Sequence, residues 1–410
     1  MPVDGPMWLP APRRPDAPLA GLKVLELARV LAGPWAGQML ADLGADVIKV
    51  EAPGGDNTRA WGPPWIEHDG ETTSAYYHAC NRGKRGIVSD FRDAEQLARV
   101  KALAGEADVV IENFLPGALA KFGLDHDSLA ASNPSLITCT ITGFGLDGPR
   151  SGEPGYDFVI QAMSGMMSLT GEPDGAPMKH GLSISDLSCG LYAANAIQAA
   201  LLMRHRTGRG QQIDMSLLDC SVALLANQAM SYLATGEDPP RMGNAHAQVS
   251  AYGVFDCADG PVVLAPASDS LFGKLAALLG REELLLDPRF ATNADRVANR
   301  AACDAAIAEA VRDWKRDALL ERCAEIGVPA GPINTVSEAL ADPQTKARGM
   351  QVEPGGVPGL RTPMRFSDAQ LAIDRPSPAH GAEDRVAAVT QNRNTRQGSV
   401  SRPRKTGRSV

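Results

Sequence analysis

Short apolar runs recur along the first third of the chain, at Leu22–Leu27, Val47–Val50, Val109–Ile111 and Leu136–Ile141. Each is short and rich in β-branched residues or leucine, which predicts strands rather than helices. Helical signals fill the gaps between them. Gly33-Pro34 opens one helix, with proline at its first position, and Gly44 closes it. Others are expected near Ala94–Leu103 and over Pro116–Phe122, the latter ended by Gly123. A strand-like stretch covers Ile87–Asp90, and longer helical sequence follows Asp186 and runs from Leu217 to about Leu233. Repeated strand–helix–strand units predict an α/β fold, a parallel sheet with helices on both faces.

The texture changes after Glu237-Asp238-Pro239-Pro240. Tyr252–Phe255 and Pro261–Leu264, split by Ala258-Asp259-Gly260, read as a hairpin, and helix-rich sequence covers about Leu271–Glu325. The expected organisation is an irregular arm over 1–20, since six prolines fall in the first eighteen residues. A large domain follows over 21–235 and a small α+β domain over 245–328. A segment over 329–384 returns to the large domain, and 385–410 reads as a disordered tail.

Composition narrows the function. With 44% apolar and 21% charged residues in 410, the chain is of ordinary globular composition. Its net charge is −8 even though seven basic and no acidic residues lie beyond Asp384, so the body is more acidic still. That argues against nucleic acid as a partner. The longest uncharged stretch near the middle, Leu187–Met203, is too short and polar to span a bilayer, and the first residues lack a signal-peptide pattern. A cytoplasmic enzyme is therefore expected. Seven scattered cysteines with no C-x-x-C pair fit neither a disulfide framework nor a metal site. P-loop, zincin and nucleophile-elbow motifs are missing from the sequence.

Several segments, in order from about Leu19 to His380, resemble the class III CoA-transferases, the CaiB–BaiF family. They include Arg29-Val30-Leu31-Ala32-Gly33-Pro34, Asn81-Arg82-Gly83-Lys84-Arg85, Glu112-Asn113-Phe114-Leu115-Pro116-Gly117, Gly155-Tyr156-Asp157, Asp186 with Gly190, and Asp287-Pro288-Arg289-Phe290. The resemblance implies a Rossmann-like, CoA-binding large domain and a homodimer whose two ring-like chains interlock. It also implies a CoA thioester and a carboxylic acid as substrates, with no permanently bound cofactor and no metal.

Read without the resemblance, Asp186 is a helix N-cap. The resemblance makes it the nucleophile, a carboxylate that at an ordinary pKa near 3.9 is already ionised. Binding residues implied alongside it are Ala32 and Gly33 near the thioester, Arg29 on the same loop, and Lys84, Arg85, Arg92 and Lys121 toward the CoA phosphates. Asn113, Phe114 and Tyr156 complete the set, the first two at a strand end where ligands collect in such sheets. Tyr156 stands where the family's racemases carry a histidine, and a phenol is a poor base at neutral pH, so transfer is favoured over racemisation. Hydrolysis of CoA esters on the same scaffold, or silent binding of them, are the rival readings. The runs around Trp61, Asp186 and Gly190, and Ala245-His246 after Asn244, are similar to a dicarboxylate-handling subgroup that includes the succinyl-CoA–glutarate transferases. Arg29 could then grip a distal carboxylate, or simply anchor the strand–helix turn. His246 reads as a hydrogen-bonded loop residue.

Overall fold

A computed structural model describes residues 8–384, which fall into two units; the basic tail and the first seven residues of the arm lie outside the described residues. The first unit, 8–164, 181–226 and 348–384, is the α/β body. In chain order it holds β1 (Lys23–Glu26), α1 (Ala32–Asp42), β2 (Asp46–Glu51), α2 (Ala75–Asn81) and β3 (Arg85–Val88). Then come α3 (Ala94–Glu106), β4 (Val109–Glu112), α4 (His126–Ser132), β5 (Ile137–Thr142) and α5 (Asp157–Met163). The 24-residue α6 (Ile184–Thr207), β6 (Gln212–Ser216) and α7 (Leu217–Ala223) complete it.

All pairings in this six-stranded sheet are parallel, and its order is β3-β2-β1-β4-β5-β6. That is the order of doubly wound dinucleotide-binding sheets, whose switch point falls between β1 and β4. Alternation along the strands divides the core in two. Val24, Val47, Val109, Ile137 and Cys139 pack with Ala36 and Leu40 of α1 and Ala193 and Ile197 of α6. Leu25, Ile48, Ile87 and Val110 pack with Val100 and Leu103 of α3, Leu129 of α4 and Trp8. A sheet buried on both faces explains why its strands read as continuous apolar runs.

Charge is also buried in this unit. Lys49 Nζ lies 3.2 Å from Glu26 and 3.0 Å from Asp56, and donates to the Ala28 carbonyl at 2.8 Å. Lys84 Nζ lies 2.8 Å from Glu26 and donates to the Pro34 carbonyl at 2.9 Å and to Asn81 at 2.8 Å. Two bases and two acids thus balance in the interior, each with further hydrogen bonds, the arrangement that makes buried charge tolerable. Its partners Ala28, Pro34 and Val30, whose N–H donates to Asp56 at 3.2 Å, bracket the segment between β1 and α1.

The second unit, 165–180 and 227–347, holds an antiparallel sheet of β7 (Gly253–Cys257), β8 (Gly260–Leu264) and β9 (Ala330–Pro332), with β8 in the middle. Helices over Asp269–Leu278, Arg300–Val311 and Arg316–Ile326 cover it through Phe272, Leu275, Ile307, Val311 and Leu319.

The expected α/β body, small α+β unit and hairpin are present, but the boundaries differ. The second unit takes residues 165–180 out of the span expected for the large domain and resumes at 227, next to Ala226, whose φ of 42° breaks the expected helix into α7 and another over Ala226–Thr235. It ends at 347 rather than 328 because Ala330–Pro332 pairs with β8, so the returning segment starts only at 348. The helix expected over Pro116–Phe122 is a single 3-10 turn at Ala120–Phe122. The N-terminal arm is irregular but packed: Trp8 is buried, and Arg13 donates to the Gly83 carbonyl at 3.0 Å.

Candidate active site

A cleft of about 290 Å³ opens at the carboxyl edge of the parallel sheet, within the first unit. The segments that follow β1 (Arg29–Ala32), β4 (Asn113–Leu115) and β5 line it, together with Tyr156 and Asp186. Five residues singled out in the sequence, Arg29, Ala32, Asn113, Phe114 and Tyr156, thus meet Asp186 around one cavity.

Asn113 ties the two sides of the switch point together. Its Oδ1 accepts the Arg29 N–H at 2.9 Å and its Nδ2 donates to the Arg29 carbonyl at 2.7 Å. The next residue, Val30, has a φ of 69°, a left-handed conformation that a β-branched side chain adopts only under constraint. Asp56 holds it there through the Val30 N–H. With its backbone fixed, Arg29 extends an exposed side chain whose guanidinium stacks 4.9 Å from the Phe114 ring centroid. Among the described residues no carboxylate pairs with it. Glu112 accepts the Phe114 N–H at 2.8 Å and so orients that ring; burial pushes the Glu112 carboxyl above its ordinary range.

Asp186 is the third residue of α6, so the N-cap reading does not hold: Ser183 occupies that place. Close packing brings α6 to the cleft. A Cβ at Gly190, one turn further on, would lie 2.7 Å from the Ala32 carbonyl oxygen, so only glycine lets α6 approach the start of α1 so closely. The half-buried Asp186 carboxyl receives no hydrogen bond among the described residues. Burial, and secondarily the charge of Asp157, push it up to about 7. The expectation of an ordinary carboxylate is thereby corrected: burial and a neighbouring charge raise the Asp186 carboxyl well above the usual carboxylate range. First-turn amides of α1 and α6, which lack intrahelical acceptors, add partial positive charge at this end.

The other implied contacts divide. Lys84 is fully buried against Glu26, and Arg85 is buried between Asp46 (3.1 Å) and Glu383 (2.9 Å). Arg85 opens β3 at the edge of the sheet opposite the cleft, so both residues are removed from the set of phosphate ligands. Gly33 does not line the cleft, and packing requires it, because a Cβ there would lie 2.3 Å from that of Ala28. Arg92 and Lys121 are exposed; Arg92 forks Asp90 at 2.8 and 2.9 Å, and the Lys121 ammonium lies 4.9 Å over Phe122. Neither lines the cleft; each is next in sequence to a member of an aromatic row that reaches it, in which Phe91 stacks 6.4 Å from Phe114 and 5.5 Å from Phe122. His246 lies in the second unit, where its Nδ1 accepts the Gln248 N–H at 3.1 Å, as a structural loop histidine would.

Sequence reading passes over Asp56, Asp157 and Tyr76. Tyr76, on α2, is half-buried with its hydroxyl pushed up to about 12, chiefly by burial and further by Asp186 and Asp157. Only Asp157 had a signal, its place in Gly155-Tyr156-Asp157.

This cleft has the makings of an acyl-transfer site, a carboxylate beside helix-start amides with the Arg29 guanidinium in the same cavity. The match to known proteins agrees. The chain belongs to CoA-transferase family III, whose family model covers residues 19–384. It is a CoA-transferase, moving CoA from a thioester to a carboxylic acid. It is 54% identical over 372 residues to the succinate–glutarate CoA-transferase of Agrobacterium fabrum, covering 89% of this chain and 93% of that one. With the acetyl-CoA:oxalate CoA-transferase of Acetobacter aceti it shares 41% over 367 residues, covering 89% and 93%. A crystal structure of a CaiB/BaiF family protein from Brucella suis superposes with a TM-score of 0.83 at 58% identity, covering 92% of this chain and 99% of that one.

Proposed function

We propose that the chain transfers CoA from a dicarboxylic acyl-CoA, succinyl-CoA being the first candidate, to a carboxylic acid through a covalent intermediate on Asp186. The observation that carries this reading is a guanidinium without a carboxylate partner, Arg29, sharing one cleft with the Asp186 carboxyl, which receives no hydrogen bond among the described residues. The names of the two relatives, which pair CoA with succinate, glutarate or oxalate, support a dicarboxylic substrate.

In this route the Asp186 carboxylate attacks the thioester carbonyl and expels CoA thiolate, leaving a mixed anhydride. The thiolate returns to the Asp186 carbonyl, and the donor acid departs as its carboxylate, giving an aspartyl-CoA thioester. The acceptor carboxylate attacks that thioester, forming a second anhydride and freeing the thiolate again. Attack of the thiolate on the acceptor carbonyl yields the new CoA ester and restores Asp186. Each tetrahedral oxyanion lies near the helix starts, whose amides favour it. Asp186 needs no separate base, since deprotonation near pH 7 leaves a better nucleophile than an ordinary carboxylate. Phe114, Phe91 and Phe122, with Arg92 and Lys121 beside them, offer a stacking and cationic surface for the nucleotide end of CoA.

Incubation of succinyl-CoA with a panel of carboxylic acids, read by mass spectrometry, is expected to give new CoA esters, with dicarboxylic acids ahead of monocarboxylic ones. Hydrolysis alone, or exchange of the α-proton without transfer, would overturn the reading in favour of a hydrolase or racemase. The second of these already lacks support, since no histidine lines the cleft and Tyr156 is 64% exposed.

The same reading includes a cytoplasmic homodimer. On α6, Leu191, Tyr192, Leu202 and Met203 are exposed, Leu202 by 72%, an apolar surface suited to a second copy. No helix of the described residues is long and apolar enough to cross a membrane. Light scattering is expected to give twice the chain mass even after dilution to nanomolar protein, because interlocked chains part only on unfolding. A monomer under native conditions would exclude the interlocked arrangement.

A further inference from the structure

We propose that Asp157 is the positioning residue for Asp186: it caps the helix that carries the nucleophile and holds a second negative charge beside it. The cap is visible in the geometry. Ser183, at the N-cap place of α6, makes no side-chain cap bond. Instead Asp157, the first residue of α5, accepts the Ser185 N–H on Oδ1 at 2.8 Å, so the first turn of α6 is satisfied from a neighbouring helix. Its other oxygen accepts Gln161 Nε2 at 2.7 Å, and Gln161 is fully buried. The buried Ser185 is held from a second side, where Ser221 of α7 donates to its Oγ at 2.8 Å. Asp186 is the next residue, so its backbone is fixed by helices on two sides.

The charge has a separate effect. The titratable groups that face Asp186 or share its cleft are Asp157 from α5, Tyr76 from α2 and Cys189 one turn along its own helix, with Arg29, Glu153 and Tyr156 on the loops of the cleft. Burial is the larger cause of the raised Asp186 carboxyl and the Asp157 charge the second. A like charge disfavours ionisation of its neighbour, so Asp157 moves the loss of the Asp186 proton toward neutral pH. The benefit is nucleophilicity, because a more basic carboxylate gives up its electron pair more readily. The kinetic consequence rests on Asp186 being the nucleophile; the cap and the electrostatic effect do not.

Two substitutions separate the cap from the charge. Asp157→Asn keeps an oxygen for the Ser185 N–H and removes the charge; Gln161 Nε2, which also donates to the Leu182 carbonyl at 3.4 Å, loses its acceptor on residue 157 in this variant as it does in the alanine one. Asp157→Ala removes both the cap and the charge. The midpoint of Asp186 itself can be followed by ¹³C NMR of labelled aspartate carboxyls, its resonance identified by its loss in Asp186→Asn. In Asp157→Asn the midpoint is expected to fall by on the order of one pH unit, with Tm lowered only by the loss of the Gln161 hydrogen bond. The acid limb of kcat/KM should move down by the same amount. Asp157→Ala, which loses the Ser185 cap as well, should show the same shift together with a Tm a few degrees below that of Asp157→Asn. An unchanged Asp186 midpoint in Asp157→Asn would overturn the electrostatic role, and equal losses of Tm in the two variants would overturn the cap. A shifted midpoint that the kinetic limb does not follow would uphold both roles of Asp157 and reject Asp186 as nucleophile, so the two failures are distinguishable.

Discussion

Asp186→Ala is expected to lower kcat for CoA transfer by at least about 10⁴-fold while leaving the protein folded. The size of the loss follows from the covalent route: without a carboxylate to accept the acyl group there is no anhydride and no aspartyl-CoA, and water or direct attack must replace a two-stage exchange. That the variant folds follows from the contacts. Asp186 receives no hydrogen bond among the described residues, and its neighbours Ser185 and Gly190 supply the anchoring of α6. Its charge is a burden on the native state. The folded carboxyl titrates near 7 against about 3.9 unfolded, so between those values the native state binds the extra proton and stability falls as pH rises. Above about pH 7 the full penalty is present, and alanine removes it. The variant's Tm at pH 8 is therefore expected to equal or exceed that of the wild type. Trapping gives an independent check: acyl-CoA with hydroxylamine should convert Asp186 of the wild type to a hydroxamate, read in its peptide mass. Near-normal turnover by Asp186→Ala, or a hydroxamate on another residue, would rule the assignment out.

The parts of this site legible in the sequence are those fixed by local pattern. Apolar runs locate the strands, and the parallel order places the residues that follow them, Arg29 after β1 and Asn113 after β4, at one edge of the sheet. Lys84 and Arg85 mislead because basic residues beside a glycine have the same local appearance whether they face solvent or a buried acid. Only the fold brings Glu26, 58 residues away, against Lys84. The raised Asp186 carboxyl is illegible for a like reason, since burial and a charge from α5 are tertiary properties. Helices α2 and α4 have seven residues each, two turns, too short for an apolar stripe to repeat. A hairpin over Trp65–Ser74 was legible but passed over: Asp69-Gly70, at φ 52° and 75°, is the turn pair that joins two such strands.

Arg29→Leu is expected to lower kcat/KM for a dicarboxylic acyl-CoA by roughly 10- to 150-fold. The argument begins with what the substitution leaves intact. Asn113 grips the backbone N–H and carbonyl of Arg29, and Asp56 the N–H of Val30, so the turn between β1 and α1 does not depend on the guanidinium. Its one contact of note is the stack on Phe114, worth about 0.5–1 kcal/mol at an exposed position. With no carboxylate partner among the described residues, the guanidinium is free to take one from a ligand in two parallel hydrogen bonds, a geometry lysine does not reproduce. A charged hydrogen-bonded contact of this kind contributes about 1.5–3 kcal/mol, and at about 1.4 kcal/mol per decade that is the stated loss. Acetyl-CoA and propionyl-CoA carry no distal carboxylate and should change only by the small effect of the lost stack. The contrast between donor classes excludes two other roles. If Arg29 held a CoA phosphate, all donors would weaken alike; if its side chain anchored the turn, all would weaken and Tm would fall. Equal losses for succinyl-CoA and acetyl-CoA on a folded variant would therefore end the selectivity assignment, whereas a loss confined to the dicarboxylic donor would place its distal carboxylate on Arg29.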